Sequence, residues 1–269
     1  MKKIFKYAML FAMACLLTTA MTSCSSNDDD TPQTGQLSEG DKYLQKVLAA
    51  NVDNTINPTY KALADGCEKL NNELEALTPG SITQQQVDNV CKTFLEARAN
   101  YESSEAFLLG AASHFLIDPH IDSWPLGLNE LYNYLKADHK YKITDQSILG
   151  FHGIEFILFR DGKPRKAAEL NSHDSYNQAG IDFTIFSGTQ ELDYAKAVAE
   201  DLRNSVYRLE CSWDENANKE HVKVLDELET VYKTDKGFSY GYEMKNAGDP
   251  TKSTYNTVKL AVSSVLTGD

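Results

Sequence analysis

Apolar residues recur along most of this chain every three or four positions, the spacing that lines one face of a helix. Leu44, Val47, Leu48, Val52 and Ile56 keep that period up to Pro58, which is expected to kink or interrupt the run. Tyr60, Leu63, Cys67, Leu70, Leu74 and Leu77 carry it on to the breaker Thr78-Pro79-Gly80. Ile82 and Thr83 open a second long helix, with Val87, Val90, Phe94, Leu95, Tyr101 and Phe107 on its stripe, and Asp118-Pro119 ends that region. A shorter helix is predicted from about Trp124 to Lys136. Ser147 to Phe159 leaves almost no polar face, which predicts a helix buried nearly all round. The polar stretch Asp161 to Gly188 reads as a long loop, and Leu192 to Trp213 and Val222 to Val231 as helices. Gly237 to Pro250 reads as a loop or linker, and Val258 to Leu266 begins another apolar helix. Strand-type alternation is scarce, so the predicted class is all-α, an antiparallel helical bundle.

The first residues follow a different rule. Lys2, Lys3 and Lys6 precede an apolar run from Tyr7 to Leu17, shorter than the about 20 residues a membrane-spanning helix needs. Such a start is the pattern of a secretory signal. It leads into Met21-Thr22-Ser23-Cys24, which resembles a lipobox, with Cys24 as the acylated residue. The stretch from Ser25 to Gln36 is rich in Ser, Asp and Thr and offers nothing to anchor a core, so it reads as a disordered tether. These features predict a cell-envelope, outer-membrane lipoprotein, facing either the periplasm or the surface and held to the membrane by its N-terminal lipid.

The formal net charge is −13, and loss of the leader with its three lysines makes it more negative still. A nucleic-acid partner is excluded on that ground, because phosphates call for Lys/Arg surfaces. With Cys15 in the leader and Cys24 at the anchor, Cys67, Cys91 and Cys211 remain, at spacings that fit no zinc motif. Cys67 and Cys91 stand at similar distances from the Pro79-Gly80 turn, which leaves a disulfide and two buried thiols both open.

The chemistry concentrates in Gly150-Phe151-His152-Gly153-Ile154-Glu155. His152 and Glu155 lie three residues apart, one helical turn on the same face, where an imidazole nitrogen and a carboxylate oxygen can chelate one transition metal ion. A hydrogen-bonded core pair with no ligand is the competing reading. Gly150 and Gly153 each cost about 1 kcal/mol in a helix interior relative to alanine, so close approach of another helix or of a ligand is expected there. Glu105, an acid in an otherwise apolar segment, is the candidate third ligand, against a solvated helix face; Asp122 is the fourth, against a capping role at Trp124. His114, His120, His139, His173 and His221 show no ligand spacing and read as surface or packing residues, and Trp124 and Trp213 as core anchors.

Gly150-x-His152-x-x-Glu155 resembles the GxHxxE signature of the imelysin family, the insulin-cleaving membrane protease-like proteins. Tyr101 to Phe107, Asp118 to Pro125, and Tyr194 to Leu202 running on to Trp213 resemble further family segments in the same order. The likeness spans about residues 42 to 266. It implies an all-helical fold of two bundle-like domains, the second incomplete here. The implied plan is a signal peptide over 1–23, a tether over 24–40, a helical bundle domain over 41–235, and a linker with the start of a second domain over 236–269.

The resemblance also implies two functions. One is metal binding, iron foremost and zinc next, for uptake with an envelope transport partner. The other is metal-dependent peptidase activity. The chain has no His-Glu-x-x-His motif, which leans against zinc-dependent proteolysis. A surface protein-binding module with a purely structural His/Glu pair is the third reading.

Overall fold

Helix α1 (Glu39–Asn51) starts at Ser38, whose side chain accepts from the Asp41 N–H and so satisfies one of the free donors of the first turn. Pro58 has no N–H to give to the preceding turn. The chain absorbs the defect as a π-helical turn, Val52–Ile56, and continues directly into α2 (Asn57–Glu75), with Pro58 in its first turn. A turn through Pro79 and Gly80 leads to Thr83, which with Gln86 forms a capping box opening α3 (Gln84–Ser104). These observations come from a computed structural model that describes residues 37–137 and 143–268. The leader, Cys24, the tether through Gln36, and His139 lie outside the described residues.

Beyond α3 the chain makes a one-turn 3-10 helix, Glu105–Phe107, then α4 (Ala111–His114) and α5 (Ile117–Ile121). Pro119 therefore sits inside a short helix, where the sequence places a stop. Helix α6 (Leu128–Lys136) begins four residues later than expected, leaving Trp124 in a loop. Helix α7 (Gly150–Leu158) carries the signature and ends in a hairpin of β1 (Phe159–Arg160) and β2 (Lys163–Pro164). The polar region expected as one long loop also holds α8 (Ala167–Leu170) and a second hairpin, β3 (Asn177–Gln178) with β4 (Ile181–Asp182). Helix α9 (Gly188–Trp213) follows, opened by a capping box of Ser187 and Gln190. Then come α10 (Lys219–Glu227), α11 (Tyr240–Lys245), within the stretch read as a loop, and α12 (Val258–Thr267).

The class is all-α. Helices α2 and α3 form a hairpin, and α9 lies against α2 and α7, so that a long apolar core runs between them. Tyr60, Leu63, Leu70, Phe151, Ile154, Val198, Leu202 and Trp213 are among its fully enclosed members. Residues 236–268 lie in the same compact unit as the rest of the described chain, α11 against α1 and α9, α12 against α1. No helix of the described residues is long and apolar enough to cross a membrane.

One buried cluster is ionic. Arg165 and Glu191 are sealed from solvent and pair at 2.8 Å. Arg160 and Asp174 join the group, Arg160 Nε donating to Asp174 at 2.9 Å. Glu169 stands 3.7 Å from Arg165 Nε as well, so two cations meet three anions here, which is how charge is tolerated in a core. Cys67, Cys91 and Cys211 are free, buried thiols.

Candidate functional site

The two signature glycines hold α7 against its neighbours. Gly150 has φ +75°, and a Cβ there would stand 2.1 Å from the carbonyl oxygen of Ile121 at the end of α5. At Gly153 a Cβ would stand 2.4 Å from the hydroxyl of Tyr194, which reaches from α9 to donate to the Ile148 carbonyl. Close approach of neighbouring protein groups, a backbone carbonyl at Gly150 and a side-chain hydroxyl at Gly153, accounts for both.

That seating buries Phe151, Ile154, Ile157 and Leu158 but turns one face of α7 outward. The expectation of a helix buried nearly all round is corrected here, because among the described residues no element covers the face carrying Glu155, whose side chain is 53% exposed. His152 lies at the margin, 17% exposed. Its Nδ1 hydrogen-bonds Glu155 Oε2 at 3.1 Å, and its Nε2 stands 3.2 Å from Asp122 Oδ1. The hydrogen bond with His152 holds the Glu155 carboxyl below its ordinary range, against the opposing effect of partial burial, with Arg98 acting in the same direction as His152.

Asp122 is itself held. Both terminal nitrogens of Arg98, on α3, donate to its two carboxylate oxygens, and Arg98 Nε pairs with Glu102 at 2.6 Å. The guanidinium lies over Tyr101 and Phe151, at 5.1 and 5.4 Å from their ring centres. Trp124 packs on the opposite flank of the site, its ring 4.6 Å from that of His152. Trp124 is 73% exposed, so it is a surface residue of the site and not a core anchor. Trp213 is the core anchor.

Glu105 is exposed on its 3-10 turn, and no hydrogen bond or ion pair joins it to His152, Asp122 or Glu155. The remaining described histidines serve packing or pairing: His120 meets Asp201 at 2.6 Å, and His221 is buried against Glu210 and stacked on Tyr207. The local sequence signal at Arg98 is Glu102 four residues on, an ordinary surface pairing that does not point to the site.

His152 and Glu155 open onto a groove of about 480 Å³. Phe94, Trp124, Leu128, Phe156, Phe159 and Tyr176 give it an aromatic and apolar lining. The donor chemistry of His152, Glu155 and Asp122 suits iron, zinc or manganese. Their geometry limits it. The two ring nitrogens point away from each other, so one ion can share His152 with Glu155 or with Asp122 but not with both. Among the described residues no three His, Cys, Asp or Glu side chains are arranged to hold an ion.

The imelysin family model, peptidase M75, matches residues 56–265. The chain belongs to the imelysin family. It is 27% identical over 119 residues to iron-regulated protein A of Synechococcus elongatus, a match covering 44% of this chain and 33% of that protein. Among solved structures it is similar to a Parabacteroides distasonis protein described as an iron-regulated protein A precursor, at TM-score 0.62 and 24% identity, covering 82% of this chain and 55% of that one. It also resembles an imelysin-like protein of Psychrobacter arcticum at TM-score 0.48 and 13% identity, covering 87% and 74%. The imelysin chain described here thus spans a third of the curated relative it matches and about half of the first solved one.

Proposed function

We propose that this imelysin is an iron-handling lipoprotein of the cell envelope, anchored through Cys24, that takes up iron as cargo for transfer to an envelope transport partner. The observation that carries the reading is the His152–Glu155 pair, a nitrogen and an oxygen donor 3.1 Å apart on the wall of an open groove. Nδ1 and the Glu155 carboxylate would hold the ion, because His152 and Glu155 line the groove next to each other and Glu155 is half exposed. Asp122 stands behind the ring, fixed by Arg98, in the place of the carboxylates that orient metal-binding histidines. The likeness to iron-regulated protein A supports iron as the cargo; zinc is its natural competitor at such donors.

The test is a titration of the purified chain with Fe(II), Fe(III) and Zn(II), beside His152→Ala and Glu155→Ala. One iron per chain, lost in both variants while circular dichroism keeps the helical fold, is the expected result. A well-folded chain that takes up no iron would overturn the reading.

A further inference from the structure

We infer that the iron arrives as a complex with a small chelator bearing an aromatic body, and that the groove beside His152 is the site for that body. The inference rests on the iron reading above. Two observations lead to it. First, the site provides two donors to any one ion, His152 Nδ1 and Glu155, and no third His, Cys, Asp or Glu among the described residues converges on them. An octahedral iron takes about six donors, so about four come from elsewhere. Second, those two donors open onto a groove lined by rings, with Trp124, Phe156, Phe159 and Tyr176 among them. Its 480 Å³ falls within the about 300–1,000 Å³ usual for sites that enclose a small organic ligand. A bare hydrated ion would leave that apolar lining without a partner, whereas a chelator supplies the missing donors and covers the rings with its own.

Charge narrows the class. Glu155 and Asp161 line the groove. Its one arginine, Arg160, is committed to Asp174 and Glu191 and lies 4.1 Å from the Tyr176 ring centre. A strongly anionic chelate finds no available cation there, so the fitting ligand is a neutral or cationic iron complex of flat aromatic chelators. Trp124, largely exposed and packed on His152, is the residue placed to stack on it.

The experiment compares ferric tropolonate with ferric acetohydroxamate, each prepared at two chelators per iron. Both complexes are cationic and oxygen-bound, and only the first has an aromatic body. Affinities are measured by calorimetry on the purified chain and on Trp124→Ala, Leu95→Ala and His152→Ala; Trp124 and Leu95 are exposed, so their replacement spares the core. The tropolonate complex is expected to bind about tenfold tighter than the hydroxamate, a preference Trp124→Ala and Leu95→Ala both reduce and His152→Ala removes together with binding. Equal affinity for the two complexes, or a preference unchanged in both groove variants, overturns the inference while leaving iron binding intact. Failure of the chain to bind either complex or bare Fe(II) overturns the iron reading itself, and the inference with it.

Discussion

Arg98 grips both carboxylate oxygens of Asp122, and Asp122 Oδ1 in turn stands 3.2 Å from Nε2 of His152. A residue of α3 thereby fixes the ring orientation of a residue on α7 without touching the groove. Carboxylates of this kind change metal affinity by about 10–100-fold when altered. Asp122→Asn is therefore expected to weaken iron binding by about tenfold, and Arg98→Ala by a similar factor, with the helical content retained. Calorimetric titration checks both; unchanged affinity in either would remove the orienting role.

Gly150 and Gly153 differ in what confines them. Gly150→Ala meets a rigid carbonyl at 2.1 Å as well as a positive φ, so it is expected to cost at least about 2 kcal/mol. Gly153→Ala meets the Tyr194 hydroxyl, a removable group. Combining it with Tyr194→Phe should recover part of the loss, the rest remaining with the Ile148 carbonyl at 2.8 Å. Urea unfolding of the single and double variants gives the coupling directly, and full additivity would contradict the contact.

Glu191 is the anion on which the buried arginines depend. Glu191→Ala leaves Arg165 enclosed with its 2.8 Å partner gone, and a loss of about 3–5 kcal/mol is expected. A stability change below about 1 kcal/mol would mean that Asp174 and Glu169, 3.2 and 3.7 Å from Arg165, compensate.

The three described thiols should resist alkylation. Burial pushes Cys91 and Cys211 up to about 12, and Cys67 higher still, so at pH 8 the nucleophilic thiolate is scarce as well as enclosed. Native protein exposed to iodoacetamide is expected to keep all three unlabelled by mass spectrometry, and protein in urea to label at all three. Labelling of Cys91 in the folded chain would contradict its enclosure against Leu158.

Local order was readable from residue types. The breaker at Pro79-Gly80, the interruption at Pro58, the long helix ending at Trp213 and the pairing of His152 with Glu155 one turn apart all follow from backbone chemistry and the 3.6-residue period. What period alone does not encode is which face stays wet. Phe156 and Trp124 look like core residues in a string of letters, yet they border a groove, because among the described residues no neighbouring element covers that side of α7. The polar run after Asp161 reads as loop because its strands are only two residues long, too short to show an alternation, and its buried Arg165 depends on Glu191, 26 residues ahead in α9. Arg98 and Asp122 meet only because α5 folds back beside α3, and Glu105, closer in sequence to Asp122, stays outside the site. The sequence by itself determined the all-α class, the turn at Pro79-Gly80 and the His–Glu pair, since each depends on neighbours within a turn or two. Tertiary structure alone decided the groove, the Arg98–Asp122 support and the seating of the two glycines, because those contacts depend on where distant elements come to rest.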